Sequence, residues 1–214
     1  METSEVATTT TGSDRRARRR KETIEEILDI AEHLMAQDGV HALSLSEVAR
    51  RLGVQPPSLY KYFPSLMAIY DALFERGQQA HLAAMRSAMH DAAPGLAALN
   101  AGLAASGRWM MANIAIAQLM FSRPVPKFEP SETAMAPSHE MVALQRQAIA
   151  DAVDAGQLGP AANEPQTVDL VSTFIVGVLS QAMANEPGAE WGTGRFTPLF
   201  PKLMALLPVL YPPE

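Results

Sequence analysis

Cysteine is absent from this 214-residue chain. That excludes disulfides and thiolate metal sites and makes a reducing cytoplasm the expected compartment. No run of 18 consecutive apolar residues occurs, so a membrane span is not expected. The N-terminal METSEVATTTTGSD has no apolar core segment; it is not a secretory signal and reads as a disordered polar tail. His33, His41, His81, His90 and His139 show no HExxH or other zinc spacing, no glycine-rich phosphate loop exists, and no Ser/His/Asp order stands out. No catalytic residue, metal site or cofactor is therefore expected, and the chain does not read as an enzyme. His33 and His81 read as satisfied surface or boundary residues. β-Branched residues are not prominent, no stretch alternates as a strand, and no internal repeat is visible.

What is present is alanine, leucine and a rich complement of 12 Met, in a chain 48% hydrophobic. That mixture favours an all-α fold, with enough length for one sizeable core or for a small domain and a larger one. The net charge of −6 is unevenly spread. Arg15, Arg16, Arg18, Arg19, Arg20 and Lys21 put six positive charges into seven residues, whereas residues 65–214 hold 8 Lys and Arg against 13 Asp and Glu. The basic run is either a solubilising tail or an arm beside a DNA-reading unit.

Apolar residues Ile24, Ile27, Leu28, Ala31, Leu34 and Met35 recur at spacings of three and four, one face of an amphipathic helix that Gly39 is placed to end. LSLSEVARRLG then opens with Ser44 and Glu47 in the spacing of a capping box. Gly53 stops this short helix, and Pro56 and Pro57 suit the first turn of another over 56–63. Two short helices joined through Gly-Val-Gln must cross steeply, with Ala49 small enough to permit it: a helix-turn-helix. In LGVQPPSLYKYFPSL, Leu59 and Phe63 share a face that packs inward. Ser58, Tyr60, Lys61 and Tyr62 fall on the remaining arc, which is expected to be exposed and where a tyrosine hydroxyl can reach a phosphate oxygen. Gln55, Pro56 and Ser58 lie at the end of the helix that would enter the major groove. The competing reading is a helical hairpin at a protein interface.

Residues 24–69, from IEEILDIAEHL through PSLMAI, resemble the DNA-binding domain of the TetR family of transcriptional regulators. The matching elements are Ala31, Gly39, Ser44, Val48-Ala49, Leu52-Gly53-Val54, Ser58-Leu59-Tyr60 and Tyr62-Phe63. The resemblance implies a homodimer on a near-palindromic double-stranded DNA operator, released, or occasionally engaged, by a small-molecule effector, with a repressor the expected case. It implies phosphate contacts by Ser44, Tyr60 and Tyr62, with Ser46 beside them, and groove-facing Gln55, Pro56, Ser58 and Lys61. The family usually opens its fourth helix with Lys, where this chain has Leu66; the Arg arm is expected to compensate in the adjacent minor groove. LMFSRPVPKFEPS and ANEPGAEWGTGRFTPLFPKL resemble the C-terminal domain of the WHG-type subgroup common in actinobacteria.

Three regions are thus expected: a disordered basic arm over 1–21, a three-helix DNA-binding domain over 22–66, and a larger ligand-binding and dimerisation domain over 67–214, with about eight or nine helices in all. In the larger domain, helices are expected over 65–92 and 94–121, the latter soft at Gly102, Ser106 and Gly107. A proline-rich loop follows over 122–137, then helices over 138–156, 164–186 and 196–210, the last broken by Pro201. Trp109, Ile116, Met120, Phe121, Phe128 and Phe174 could line an apolar pocket, with Asn113, Gln118 and His139 to orient an apolar or aromatic effector. Val171, Phe174, Ile175, Gly177, Val178, Leu199, Leu203 and Leu206 are the expected two-fold dimer interface. The alternative is a helical carrier or interaction protein that binds a hydrophobic molecule without DNA. It leaves the Arg arm and residues 44–63 unexplained.

Overall fold

The computed structural model describes residues 12–214, and among them every regular element is helical. Nine α-helices occur in this stretch: α1 Gly12–Asp38, α2 Leu45–Leu52, α3 Leu66–His90, α4 Leu96–Ala112, α5 Ile114–Phe121, α6 Glu132–Asp154, α7 Pro165–Asn185, α8 Phe200–Met204 and α9 Leu207–Leu210. The chain divides into two compact units between Tyr70 and Asp71.

In the first unit α1 buries Ile27, Leu28, Ala31, Leu34 and Met35, the stripe that its periodicity sets out. It stops at Gly39, whose N–H donates to the Met35 carbonyl at 3.0 Å and whose φ of +88° is open to glycine. α1 begins at Gly12, so the arm expected to be disordered is helical from there to Lys21; residues 1–11 lie outside the described residues. Arg, Ala and Lys are good helix formers, and the extension gains the Arg18–Glu22 pair at 3.5 Å one turn apart. α2 starts on Ser44 and ends on left-handed Gly53, φ +74°. The next segment, Pro56–Lys61, is a 3-10 helix and not the α-helix expected over 56–63. Its bonds close at i+3, from the Ser58 N–H to the Gln55 carbonyl at 2.9 Å and from the Tyr62 N–H to the Leu59 carbonyl at 2.8 Å, which also accepts the Phe63 N–H at 2.9 Å. Leu59 is fully buried, a contribution of about 1.5–3 kcal/mol. The Tyr70 hydroxyl donates to the Val40 carbonyl at 2.7 Å.

The second unit is built from the rest of α3 and from α4–α9. The region expected as one helix over 94–121 is two, and the break lies at Asn113. There the side-chain Nδ2 donates to the Trp109 carbonyl at 2.8 Å, taking the acceptor that the backbone N–H would have used, and that N–H goes to Met110 instead. Gly102 and Gly107 lie inside α4, where neighbours leave no room for a side chain: a Cβ on Gly102 would sit 2.5 Å from Met89, and one on Gly107 2.3 Å from Trp191.

The loop expected over 122–137 is shorter than its prolines suggest. α6 starts at Glu132, with Ser131 accepting the Ala134 N–H, and carries Pro137 inside it. Pro201 sits in the first turn of α8 and starts that helix; the interruption falls at Ala205 and Leu206. α7 is long and apolar enough to cross a membrane, with a mean hydropathy of 1.5. Here Val168, Val171, Ile175, Val178, Leu179 and Ala182 pack into the core of the second unit.

Candidate functional site

The first unit presents the short elements α2 and Pro56–Lys61, held by polar contacts. Ser44 caps α2, its Oγ accepting the Glu47 N–H at 3.2 Å. The reciprocal half of the expected capping box does not form. Arg50 donates to the Glu47 carboxylate at 2.8 and 2.6 Å and Arg51 at 3.1 Å. Those hydrogen bonds, Arg50's foremost, hold the Glu47 carboxyl down to about 2. Arg51 also donates to Gln37 Oε1 at 3.0 Å, fixing α2 to α1.

Of the basic residues, Arg20 has a distinct place. Its Nη1 donates to the Lys61 carbonyl at 2.7 Å and its guanidinium lies 5.3 Å from the centre of the Tyr62 ring. Lys61 Nζ is 5.2 Å from the same ring, so Tyr62 is gripped by two cations and is only half exposed. Tyr60 is 56% exposed and projects freely. Gln55 and Lys61 are exposed, Pro56 and Ser58 half-buried, and Ser44 and Ser46 face solvent at the start of α2. Arg15, Arg16, Arg18, Arg19 and Lys21 are exposed on the α1 extension. Leu66 opens α3 behind Ser65, which accepts the Ala68 N–H at 3.2 Å.

The second unit holds a cavity of about 150 Å³ between α3, α4, α5, α6 and α7. Its apolar wall includes Met85, Leu103, Phe121, Met141, Val142 and Ile175; its polar lining includes Gln78, His81, Ser106 and Gln145. Gln78, His81 and Gln145 are only 3%, 4% and 7% exposed. His81 Nε2 and Ser106 Oγ share a hydrogen bond of 2.6 Å, and the imidazole stacks on Trp109 with 5.2 Å between ring centres. Burial lowers the His81 pKa to about 4, so the ring is neutral near pH 7. His81 Nδ1, Gln78 Oε1 and Gln145 Oε1 have no hydrogen-bond partner.

This cavity meets the expected ligand set in part. Phe121 lines it and Trp109 backs the imidazole. Ile116 and Met120 lie instead where a Cβ on Gly77 would be, 2.4 and 3.0 Å away. Phe128 meets Phe74 edge-on at 6.2 Å, and Phe174 packs on the core from α7. The expected orienting groups are elsewhere. Asn113 is occupied at the helix break, Gln118 is half-buried outside the lining and His139 is exposed. His81, expected at the surface or a boundary, is interior. The periodicity could have shown this, since Phe74, Gln78, His81 and Met85 recur at four, three and four along one face of α3. Gln145 likewise falls between Met141 and Ala148 on the buried face of α6.

In the expected dimer set, Val171, Ile175 and Val178 are consumed by the core of their own chain. An apolar helix with one small-residue face needs only its other faces covered, and Gly177 lies on the open one. Phe174 and Leu203 are half-buried, and Leu199 and Leu206 are exposed. Among the described residues no cluster of His, Asp or Glu could hold a metal ion.

Residues 27–73 match the family model for bacterial regulatory proteins of the tetR family. A 51-residue stretch is 39% identical to the uncharacterized HTH-type transcriptional regulator YobS of Bacillus subtilis (strain 168). That stretch takes in 24% of this chain and 27% of YobS. The fold is similar to a protein of unknown function from Rhodococcus sp. RHA1, with a TM-score of 0.73 at 22% identity over 88% of this chain and 94% of that one. It is also similar to the transcriptional regulator FadR from Bacillus subtilis in complex with stearoyl-CoA. That match has a TM-score of 0.65 at 16% identity over 86% of this chain and 96% of the other.

Proposed function

We propose, for a chain whose residues 27–73 belong to the tetR family of bacterial regulatory proteins, a ligand-responsive transcriptional regulator that represses as a homodimer on a near-palindromic operator. The observation that carries this reading is the reading segment itself: an exposed Gln55, Tyr60 and Lys61 on a rigid 3-10 turn that follows a capped, glycine-stopped α2, beside a helix bearing exposed arginines. Gln55, Pro56, Ser58 and Lys61 are oriented toward base edges, and Ser44, Ser46, Tyr60 and Tyr62 toward phosphates. The arginines of α1 add the salt-dependent, sequence-independent part of the affinity. The chain acts in the cytoplasm, on DNA, and catalyses nothing.

Each protomer supplies one reading segment, and a pair must span successive major grooves about 34–36 Å apart. The exposed Gly177, Leu199 and Leu206, with the half-buried Phe174 and Leu203, form the surface on which the two protomers meet. The effector enters the cavity of the second unit. Gln78 and His81 sit on α3, the same unbroken helix that begins at Leu66 beside the reading segment, so a ligand that displaces α3 changes the groove spacing. It acts only through its different affinity for the two spacings.

The test is fluorescence anisotropy on DNA from around the chain's own gene, across a salt series, with wild type and Tyr60→Ala side by side. The reading requires saturable binding that weakens steeply with salt and is weaker still in the variant. Absent or Tyr60-independent binding overturns it in favour of a carrier that binds a small molecule without DNA.

A further inference from the structure

The first turns of α1 are helical without the packing that supports the rest of the helix. Arg15 to Glu22 are all exposed, and full burial begins only at Ile27. Arg20 ties α1 to the Lys61 carbonyl, and Arg15, Arg16, Arg18 and Arg19 all lie upstream of that tie. A short helix without a packed apolar face is marginal in water, so charge decides which way the margin falls. Residues three or four apart are neighbours on a helix, and like charges there oppose it. Arg15 meets Arg18 and Arg19 at those spacings, and Arg16 meets Arg19 and Arg20. Neither has an acid at the corresponding upstream positions. Arg18 is paired with Glu22 at 3.5 Å, but with the arginine N-terminal to the acid, which is the weaker order. The positive end of the helix dipole lies here too, where cations are disfavoured, and Asp14 is the acid set against it.

We infer that residues 12–19 are a conditional helix, loose in the free chain and completed on a polyanion. DNA phosphates supply the negative charge that this stretch lacks, and they remove both the mutual repulsion of the arginines and their conflict with the dipole. The helical form is the one that suits a duplex backbone. In it Arg16 and Arg20 stand one turn, about 6 Å, apart on one side of α1, the side from which Arg20 reaches Lys61. The arm therefore folds where it binds, as a phosphate-contacting helix and not as an extended strand entering a minor groove. This inference rests on the DNA-binding reading above and adds to it a segment that orders on the duplex.

Hydrogen exchange read by mass spectrometry tests it on the full chain: free, with the duplex used for anisotropy, and with heparin, a polyanion that has no groove. In the free chain the amides of the arm should exchange within about fivefold of the unstructured rate, and about tenfold or more slowly with either polyanion. Two substitutions at exposed positions separate folding from contact. Ala17→Gly lowers helix propensity and leaves every charge in place, so it should weaken duplex binding about two- to fivefold at an unchanged salt slope. Arg15→Glu puts an acid ahead of Arg18 and Arg19, so it should slow exchange of the free arm about threefold or more. Equal protection of the arm in the free and bound chains overturns the inference, as does an arm that stays unprotected on DNA. Protection by the duplex with heparin inert overturns it in favour of an arm inserted in a groove. Duplex binding unchanged by Ala17→Gly, or free-arm exchange unmoved by Arg15→Glu, overturns it as well. The two proposals can fail separately. Arm protection by heparin in a chain whose DNA binding ignores Tyr60 sinks the regulatory reading alone. Tyr60-dependent DNA binding with no change at the arm sinks this inference alone.

Discussion

Arg20 donates to the backbone carbonyl of Lys61 across 41 positions of sequence and covers the neighbouring Tyr62 ring. The last arginine of the basic run therefore clamps the Pro56–Lys61 segment from the surface, itself exposed like Arg15, Arg16, Arg18 and Arg19. Arg20→Ala should lower the melting temperature and weaken operator binding while leaving the slope of affinity against salt close to that of wild type. Arg16→Ala should do the reverse, with an unchanged melting temperature and a salt slope reduced by about one phosphate contact. Matching salt slopes in the two variants would remove the clamp.

Tyr60 is 56% exposed, so its hydroxyl can go to DNA without loss to the fold. Tyr60→Phe should keep the melting temperature within about 1 °C and weaken operator binding by about 3- to 10-fold, the worth of one hydrogen bond. An unchanged dissociation constant by anisotropy would count against a phosphate contact there.

His81 makes acid stability a readout of the cavity. Burial lowers its pKa from 6.5 to about 4 in the folded chain. Between these values the unfolded chain binds a proton that the folded one refuses, so stability is full above pH 6.5 and falls as pH drops toward 4. The slope is about 1.4 kcal/mol per pH unit, a loss of about 3 kcal/mol across the window. Urea unfolding at a series of pH values should show that fall in wild type and a flatter profile in His81→Gln. Parallel profiles would place the proton elsewhere.

Gly107 is a packing residue. A Cβ there would lie 2.3 Å from the Trp191 ring, which packs on Phe200 at 5.4 Å. Gly107→Ala should displace Trp191 and destabilise the fold by about 1–3 kcal/mol. With Trp109→Phe as the background, the emission of Trp191 alone should shift to the red. An unshifted spectrum and unchanged stability would show that the ring moves aside freely.

The contrast between Ser44 and Glu47 shows why some of the site was legible and some was not. The Ser44 cap is a local hydrogen bond over three residues and forms as the spacing requires. Glu47 had the same local option, but Arg50 and Arg51 lie one turn on and offer charge-assisted bonds that win. Asn113 is a similar case, its side chain ending α4 where the glycines were the expected weak points. The 3-10 form of Pro56–Lys61 was half visible, since the prolines announce a helix start but not its pitch.

By itself the sequence determined the all-α class and the short turn-linked elements from Ser44 to Phe63, because helical periodicity, caps and turn residues act over a few positions. Only the tertiary structure decided that Arg20 serves as a clamp, that Val171, Ile175 and Val178 belong to their own core, and that Gln78, His81 and Gln145 converge on one cavity. Gln145 on α6 lies tens of positions from Gln78 and His81 on α3, and a glutamine on a helix reads as solvated until its neighbours close over it. Burial, which turns an ordinary polar group into an unpaired one, is a property of the packed chain.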